Sequence, residues 1–189
     1  MRVAKEIGVI SLALILVSGC GGTGSPAGQT PVCARGAETA AAADRNGSAL
    51  PQFRYAKAAS ADLDRNGLEE LYFLDLGRLT VRSGEDILWR TPVSWWVDHL
   101  FLGDSDNDGT AELNLLVWKT GSFGKSRPFW VEKREEGFKN HLYIYELESG
   151  CFNPVWQSSG LDRPNYHAWL KDINGDGENE LIALEGHYG

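Results

Sequence analysis

Apolar residues in this chain come in short runs and not in long helical periodicities. Leu71-Tyr72-Phe73-Leu74, Leu113-Asn114-Leu115-Leu116 and Leu181-Ile182-Ala183-Leu184 each follow a polar, glycine-containing stretch and stop at polar or glycine residues. Apolar runs of this length between turn residues predict β-strands. A second set, at residues 55–61, 97–102 and 167–170, precedes the polar stretches and predicts an incoming strand for each. Leu79-Thr80-Val81 and Ile87-Leu88-Trp89 continue the first unit; Leu142-Tyr143-Ile144 and Pro154-Val155-Trp156 match them in the second. Trp89 lies fifteen residues before Asp104 and Trp156 sixteen before Asp172, so the two tryptophans recur in register as expected core residues. The pattern predicts an all-β fold of repeated units with four strands each.

The polar stretches repeat as well, at residues 62–70, 104–112 and 172–180. Numbered as positions 1 to 9, they carry oxygen-bearing side chains at 1, 3 and 5: Asp62, Asp64 and Asn66; Asp104, Asp106 and Asp108; Asp172, Asn174 and Asp176. Glycine stands at position 6 (Gly67, Gly109, Gly177) and glutamate at position 9 (Glu70, Glu112, Glu180). Hard cations, calcium above all, take six to eight oxygens, and a glycine bend lets alternate side chains converge. The backbone carbonyls of Leu68, Thr110 and Glu178 at position 7 complete the expected set. One such stretch could be an ordinary solvated turn, since Asp, Asn and Gly are turn residues; three in one register argue against that. An EF-hand loop begins in the same way but ends with an acidic residue at position 12 ahead of a helix. Here position 12 is Phe73, Leu115 and Ala183, within the predicted strands.

The D-x-[DN]-x-[DN]-G-x-x-E-L pattern running into a strand resembles the FG-GAP or VCBS repeat, the calcium-loop blade of integrin-α-type β-propellers and of many bacterial surface proteins. The resemblance covers residues 52–189. It implies β-propeller blades, four strands per blade, with calcium as the cofactor. The first two units are complete. The third supplies an incoming strand, its loop and one further strand, about two and a half blades in all, and closed propellers have at least about four. The resemblance thus implies either a truncated relative of longer proteins or open edges covered by a second copy or another chain.

Residues 1–19 read as a targeting segment. Arg2 and Lys5 precede an apolar run at residues 7–17, shorter than the roughly 20 residues that span a bilayer. Val17-Ser18-Gly19-Cys20 resembles the bacterial lipobox, which implies an acylated Cys20 as mature N-terminus and anchorage to a membrane; an ordinary secretory signal is the alternative. Gly21, in place of aspartate, implies sorting to the outer membrane if the organism is Gram-negative. Residues 20–51 are poor in large apolar side chains and rich in Gly, Ala, Ser, Thr and Pro, and so read as a tether. Asp44-Arg45-Asn46-Gly47 echoes the first loop but lacks its first ligand and its Glu-Leu exit. With Cys20 acylated, Cys33 and Cys151 remain as an even pair, expected to be bridged in an oxidising compartment; two free thiols are the alternative.

At 189 residues, 42% hydrophobic and 11% aromatic, the chain can build one domain with a core. Its net charge of −8 is concentrated: ten of the 26 acidic residues occupy loop ligand positions, and nucleic acid is not an expected partner. The one basic stretch is an insertion at residues 121–140. His99, His141, His167 and His187 show no metal-protease spacing and no G-x-S-x-G is present, so no catalytic residues are expected. A binding role fits better, with a protein or glycan ligand at the cell surface. Trp95 and Trp96 are adjacent, so that in an extended segment their side chains point to opposite faces, and Trp130 lies in the basic insertion; an exposed indole among them would stack on a sugar or anchor a protein. A purely structural envelope protein is the third reading.

Overall fold

The computed structural model describes residues 32–33, 56–122 and 136–188. The signal and lipidation readings with Cys20, the Asp44–Gly47 fragment, most of the tether, Trp130 and the middle of the basic insertion lie outside the described residues. Within them the chain is all β, without a helix, and its sheets are antiparallel. The strands are β1 (Val32–Cys33), β2 (Ala56–Ala61), β3 (Glu70–Asp75), β4 (Arg78–Ser83), β5 (Asp86–Arg90), β6 (Trp96–Gly103), β7 (Glu112–Thr120), β8 (Phe138–Glu148), β9 (Cys151–Gln157), β10 (Asn165–Lys171) and β11 (Glu180–Glu185).

Three sheets result. The first is a four-stranded meander in chain order, β2-β3-β4-β5; the second runs β1-β9-β8-β7-β6; the third is the pair β10-β11. Each polar loop joins two adjacent antiparallel strands of one sheet: β2 to β3, β6 to β7 and β10 to β11. Residues sharing a face follow from the two-residue period of a strand. In β3, Glu70, Tyr72 and Leu74 are buried while Leu71 and Phe73 face out. β7 behaves differently, with six consecutive residues from Glu112 to Val117 buried. Leu113, Leu115 and Val117 join the core shared with Tyr72, Leu74, Val81 and Trp89 of the first sheet, whereas Leu116 packs with Ala168 and Ala183 of the third. The middle sheet is covered on both faces at β7, which explains why Leu115-Leu116-Val117 run on without alternation.

Cys33 and Cys151 are bridged, with Cα atoms 4.2 Å apart, and stand opposite each other in the β1–β9 ladder. The bridge fixes Val32–Cys33, inside the stretch read as tether, to the edge of the middle sheet. Of the recurring tryptophans, Trp89 is 4% exposed and lies within the main core, and Trp156 is half-buried against the smaller cluster around Leu116. Trp95 leans into the core against Trp89 and Tyr143, with ring centroids 6.4 and 5.2 Å away. Its neighbour Trp96 is 48% exposed and covers the tight turn at Gly77, where a Cβ would stand 2.4 Å from the indole. Gly77 has φ 73°, so that position demands glycine twice over.

Candidate metal centres

The three loops share one backbone design. The position-2 N–H donates to the position-9 glutamate: Leu63 to Glu70 Oε2 at 3.0 Å, Ser105 to Glu112 Oε2 at 2.7 Å, Ile173 to Glu180 Oε2 at 2.7 Å. The position-6 glycine N–H donates to the position-1 aspartate at 2.9 Å in all three. At position 7, the N–H groups of Leu68, Thr110 and Glu178 donate to Asn66, Asp108 and Asp176 at 2.8, 2.7 and 2.8 Å. Gly67, Gly109 and Gly177 have φ of 90°, 88° and 91°, the left-handed bend that glycine alone adopts without cost. Position 4 is left-handed too, at Arg65 (55°), Asn107 (62°) and Gly175 (81°).

In the first two loops this design gathers negative charge. Carboxylate oxygens of Asp62, Asp64 and Glu70 all lie within 4.8 Å of one another, and so do those of Asp104, Asp106, Asp108 and Glu112. Glu70 and Glu112 are 0% and 1% exposed at the entrance to the core. Burial raises the pKa of Glu70, with Asp64 and Asp62 adding to it against the Leu63 N–H. Burial likewise pushes Glu112 up to about 7, opposed by the Ser105 N–H and hydroxyl and reinforced by Asp106 and Asp104. Asp106 is raised by burial and by Asp108. The field of the second loop reaches β8, where Glu146 is raised by burial, then by Glu148, Asp108 and Asp106.

These donor sets fit a hard cation. Every converging atom is a carboxylate oxygen, with no sulfur or imidazole among them, the set that calcium or magnesium takes in preference to softer metals. Glu70 Oε1 is fully buried and accepts no hydrogen bond of good geometry; the Tyr72 hydroxyl stands beside the same carboxylate, which also faces Asp62 and Asp64. A buried charged oxygen without a well-formed hydrogen bond costs several kcal/mol in a protein of ordinary design, on the order of 1–3 or more. A divalent ion held by the three carboxylates would remove that cost.

The third loop differs in its centre. Asn174 Nδ2 donates to Asp176 Oδ2 at 2.9 Å and to Glu180 Oε1 at 3.0 Å, while Asn174 Oδ1 accepts the Asp176 N–H at 2.8 Å. That acceptor bond fixes which way the amide points, since a flip would set two donors against each other. Asp176 is accordingly held below the usual carboxylate range, by the Glu178 N–H first and then by Asn174. The carboxylates of Asp172, Asp176 and Glu180 form no cluster like the other two. Of the expected ligands, the structure gathers the carboxylates of Asp62, Asp64 and Glu70 and of Asp104, Asp106, Asp108 and Glu112, and leaves the third loop tied through its own amide.

No family model, curated protein or solved structure matches this chain.

Sequence reasoning missed several participants. Ser105 donates from both its N–H and its hydroxyl to Glu112 and reaches Asn114 Oδ1 at 2.9 Å, bringing a polar residue of β7 into the site. The loops also touch one another. Arg65 donates to the Gly109 carbonyl, and Asn107 exchanges two hydrogen bonds with the Asn179 backbone, at 2.7 and 3.3 Å. Asn179 Nδ2 adds a bond to the Asp104 carbonyl at 3.0 Å. The only local hint was the residue type at position 4, since Asn and Gly tolerate a left-handed backbone. Arg65 gave none.

Proposed function

We propose that this is a calcium-binding β-repeat protein, anchored to the cell envelope through lipidated Cys20, that presents its loops and sheet edges to a protein ligand. The observation that carries the metal is the convergence of Asp62 and Asp64 on the buried Glu70, and of Asp104, Asp106 and Asp108 on the buried Glu112. When bound, calcium supplies neutralising charge and a common anchor for carboxylates that otherwise repel. The chain's own part is to hold those carboxylates in place with the N–H groups of Leu63, Ser105, Gly67 and Gly109. An FG-GAP or VCBS-type propeller reading is supported by the β2-β3-β4-β5 meander, its counterpart β6-β7-β8-β9, and a ligand loop between the first two strands of each. Export is supported by the Cys33–Cys151 bridge, because such bonds persist in oxidising compartments.

Calorimetric titration of calcium into the chelator-treated chain tests the reading. Two equivalents of binding and a rise in melting temperature are expected; no heat at millimolar calcium, together with a melting temperature indifferent to EDTA, would overturn it.

A glycan ligand is the second reading, favoured by one surface feature. Trp96 and Phe138 are 48% and 54% exposed, Trp118 stacks between their strands on Phe138, and Asp98 accepts from the indole N–H groups of both Trp96 and Trp118. Exposed rings beside a carboxylate suit a sugar's apolar face and hydroxyls. A glycan array with wild type and Trp96→Ala separates the two readings.

A further inference from the structure

We propose that cation binding at the first loop and at the second is positively coupled through Arg65; this rests on the calcium reading above and concerns its regulation. Arg65 is not a ligand. It stands at position 4 of the first loop with φ 55°, a conformation that residues bearing a Cβ avoid unless their surroundings hold them there. Its neighbours Asp64 and Asn66 do so, since the Asn66 N–H is shared between Asp62 Oδ1 at 2.9 Å and Asp64 Oδ1 at 3.2 Å. An ion gripping Asp62 and Asp64 therefore fixes the backbone from which the Arg65 side chain departs.

That side chain ends in the second loop, where its guanidinium donates to the Gly109 carbonyl. The same peptide group carries the Thr110 N–H, which donates to Asp108 Oδ1 at 2.7 Å, and the Gly109 N–H donates to Asp104 Oδ2 at 2.9 Å. Arg65 thus steadies the peptide that aims Asp108 and adjoins the one that holds Asp104. Ordering the first loop pre-organises the second, and pre-organisation raises affinity by removing an ordering cost. The effect is reciprocal, because a coupling free energy belongs to both sites. The next hand-over, from Asn107 to Asn179, leads into the loop that Asn174 already fills, and there position 4 is Gly175, which has no side chain to extend the series.

Calcium chloride titrated calorimetrically into the full, chelator-treated chain tests this. In wild type, inactivating the first loop with Glu70→Gln is expected to weaken binding at the second by about tenfold, within the usual range for coupled sites. In an Arg65→Ala background, which leaves every candidate ligand in place, the same substitution is expected to leave the second loop's affinity unchanged. Wild-type stepwise constants provide a readout without any variant, and should show a steeper curve than two independent sites. Two sites that titrate independently in wild type, with constants unaltered by Arg65→Ala, would overturn the coupling while leaving the calcium reading standing. No calcium heat in wild type would overturn both.

Discussion

Asn174 Nδ2 donates to Glu180 Oε1 across 3.0 Å, placing an amide where the other two loops have only carboxylates. The equivalent residues, Asp64 and Asp106, have no hydrogen to give. A one-atom-type difference at position 3 separates a loop that satisfies itself from two that gather charge they cannot neutralise. The amide does for the third loop what a cation would do for the others.

Asn174→Asp should convert the third loop into a cation site. Calcium stoichiometry measured by equilibrium dialysis is expected to rise from two to three. The metal-free form should lose stability, by about 1 kcal/mol per new close pair of like charges in water-like surroundings. A stoichiometry that stays at two, with an unchanged melting temperature in EDTA, would refute this.

Glu70→Gln removes a buried charge but leaves an oxygen to accept the Leu63 N–H. In EDTA the variant should be as stable as wild type or more so, because a buried carboxylate facing two others is costly. It should also lose the calcium response of one site, about 1.4 kcal/mol at a free concentration near ten times the dissociation constant. Thermal melts with and without calcium check both halves; an intact calcium shift is the contrary result.

Acid should act through His99. Its Nε2–H donates to the Ala168 carbonyl at 3.0 Å, and the His167 ring lies 4.1 Å away. Burial, then Lys57 and His167, lower its pKa from 6.5 to about 4, against the pull of the Ala168 carbonyl. The folded protein therefore binds this proton less tightly than the unfolded chain. The resulting stability is fully present above about pH 6.5 and is lost as pH falls toward 4. Denaturant midpoints over that range should fall less steeply for His99→Gln, which keeps an N–H donor; parallel slopes would count against it.

The Cys33–Cys151 bridge spans a sequence separation of 118 residues and attaches β1 to the middle sheet. Replacing both cysteines by serine should cost about 2–5 kcal/mol, mostly by freeing the unfolded chain. Urea melts of the oxidised and substituted proteins measure this, and coincident midpoints would show that the bridge carries no stability.

Local order determined what the sequence alone made legible: the strands flanking each loop, the glycine bend at position 6, and the convergence of positions 1, 3 and 9 in the first two loops. These depend on residues a few positions apart, whose geometry a short window specifies. The pairing of Cys33 with Cys151 was legible for a different reason: the expectation that Cys20 is acylated left these two to pair. Other features were decided by tertiary structure. Trp95 and Trp96 are equivalent as sequence, yet one meets Trp89 and Tyr143 while the other closes over Gly77, because only packing says which side chain turns inward where the chain enters β6. The burial of β7 on both faces needed two other sheets to arrive. The third loop matched the motif as well as its siblings, but a pattern that accepts Asp or Asn at position 3 cannot tell a charge that must be neutralised from an amide that neutralises its neighbours. Arg65 acquired its role only when the fold brought Gly109 within reach, 44 residues along the chain.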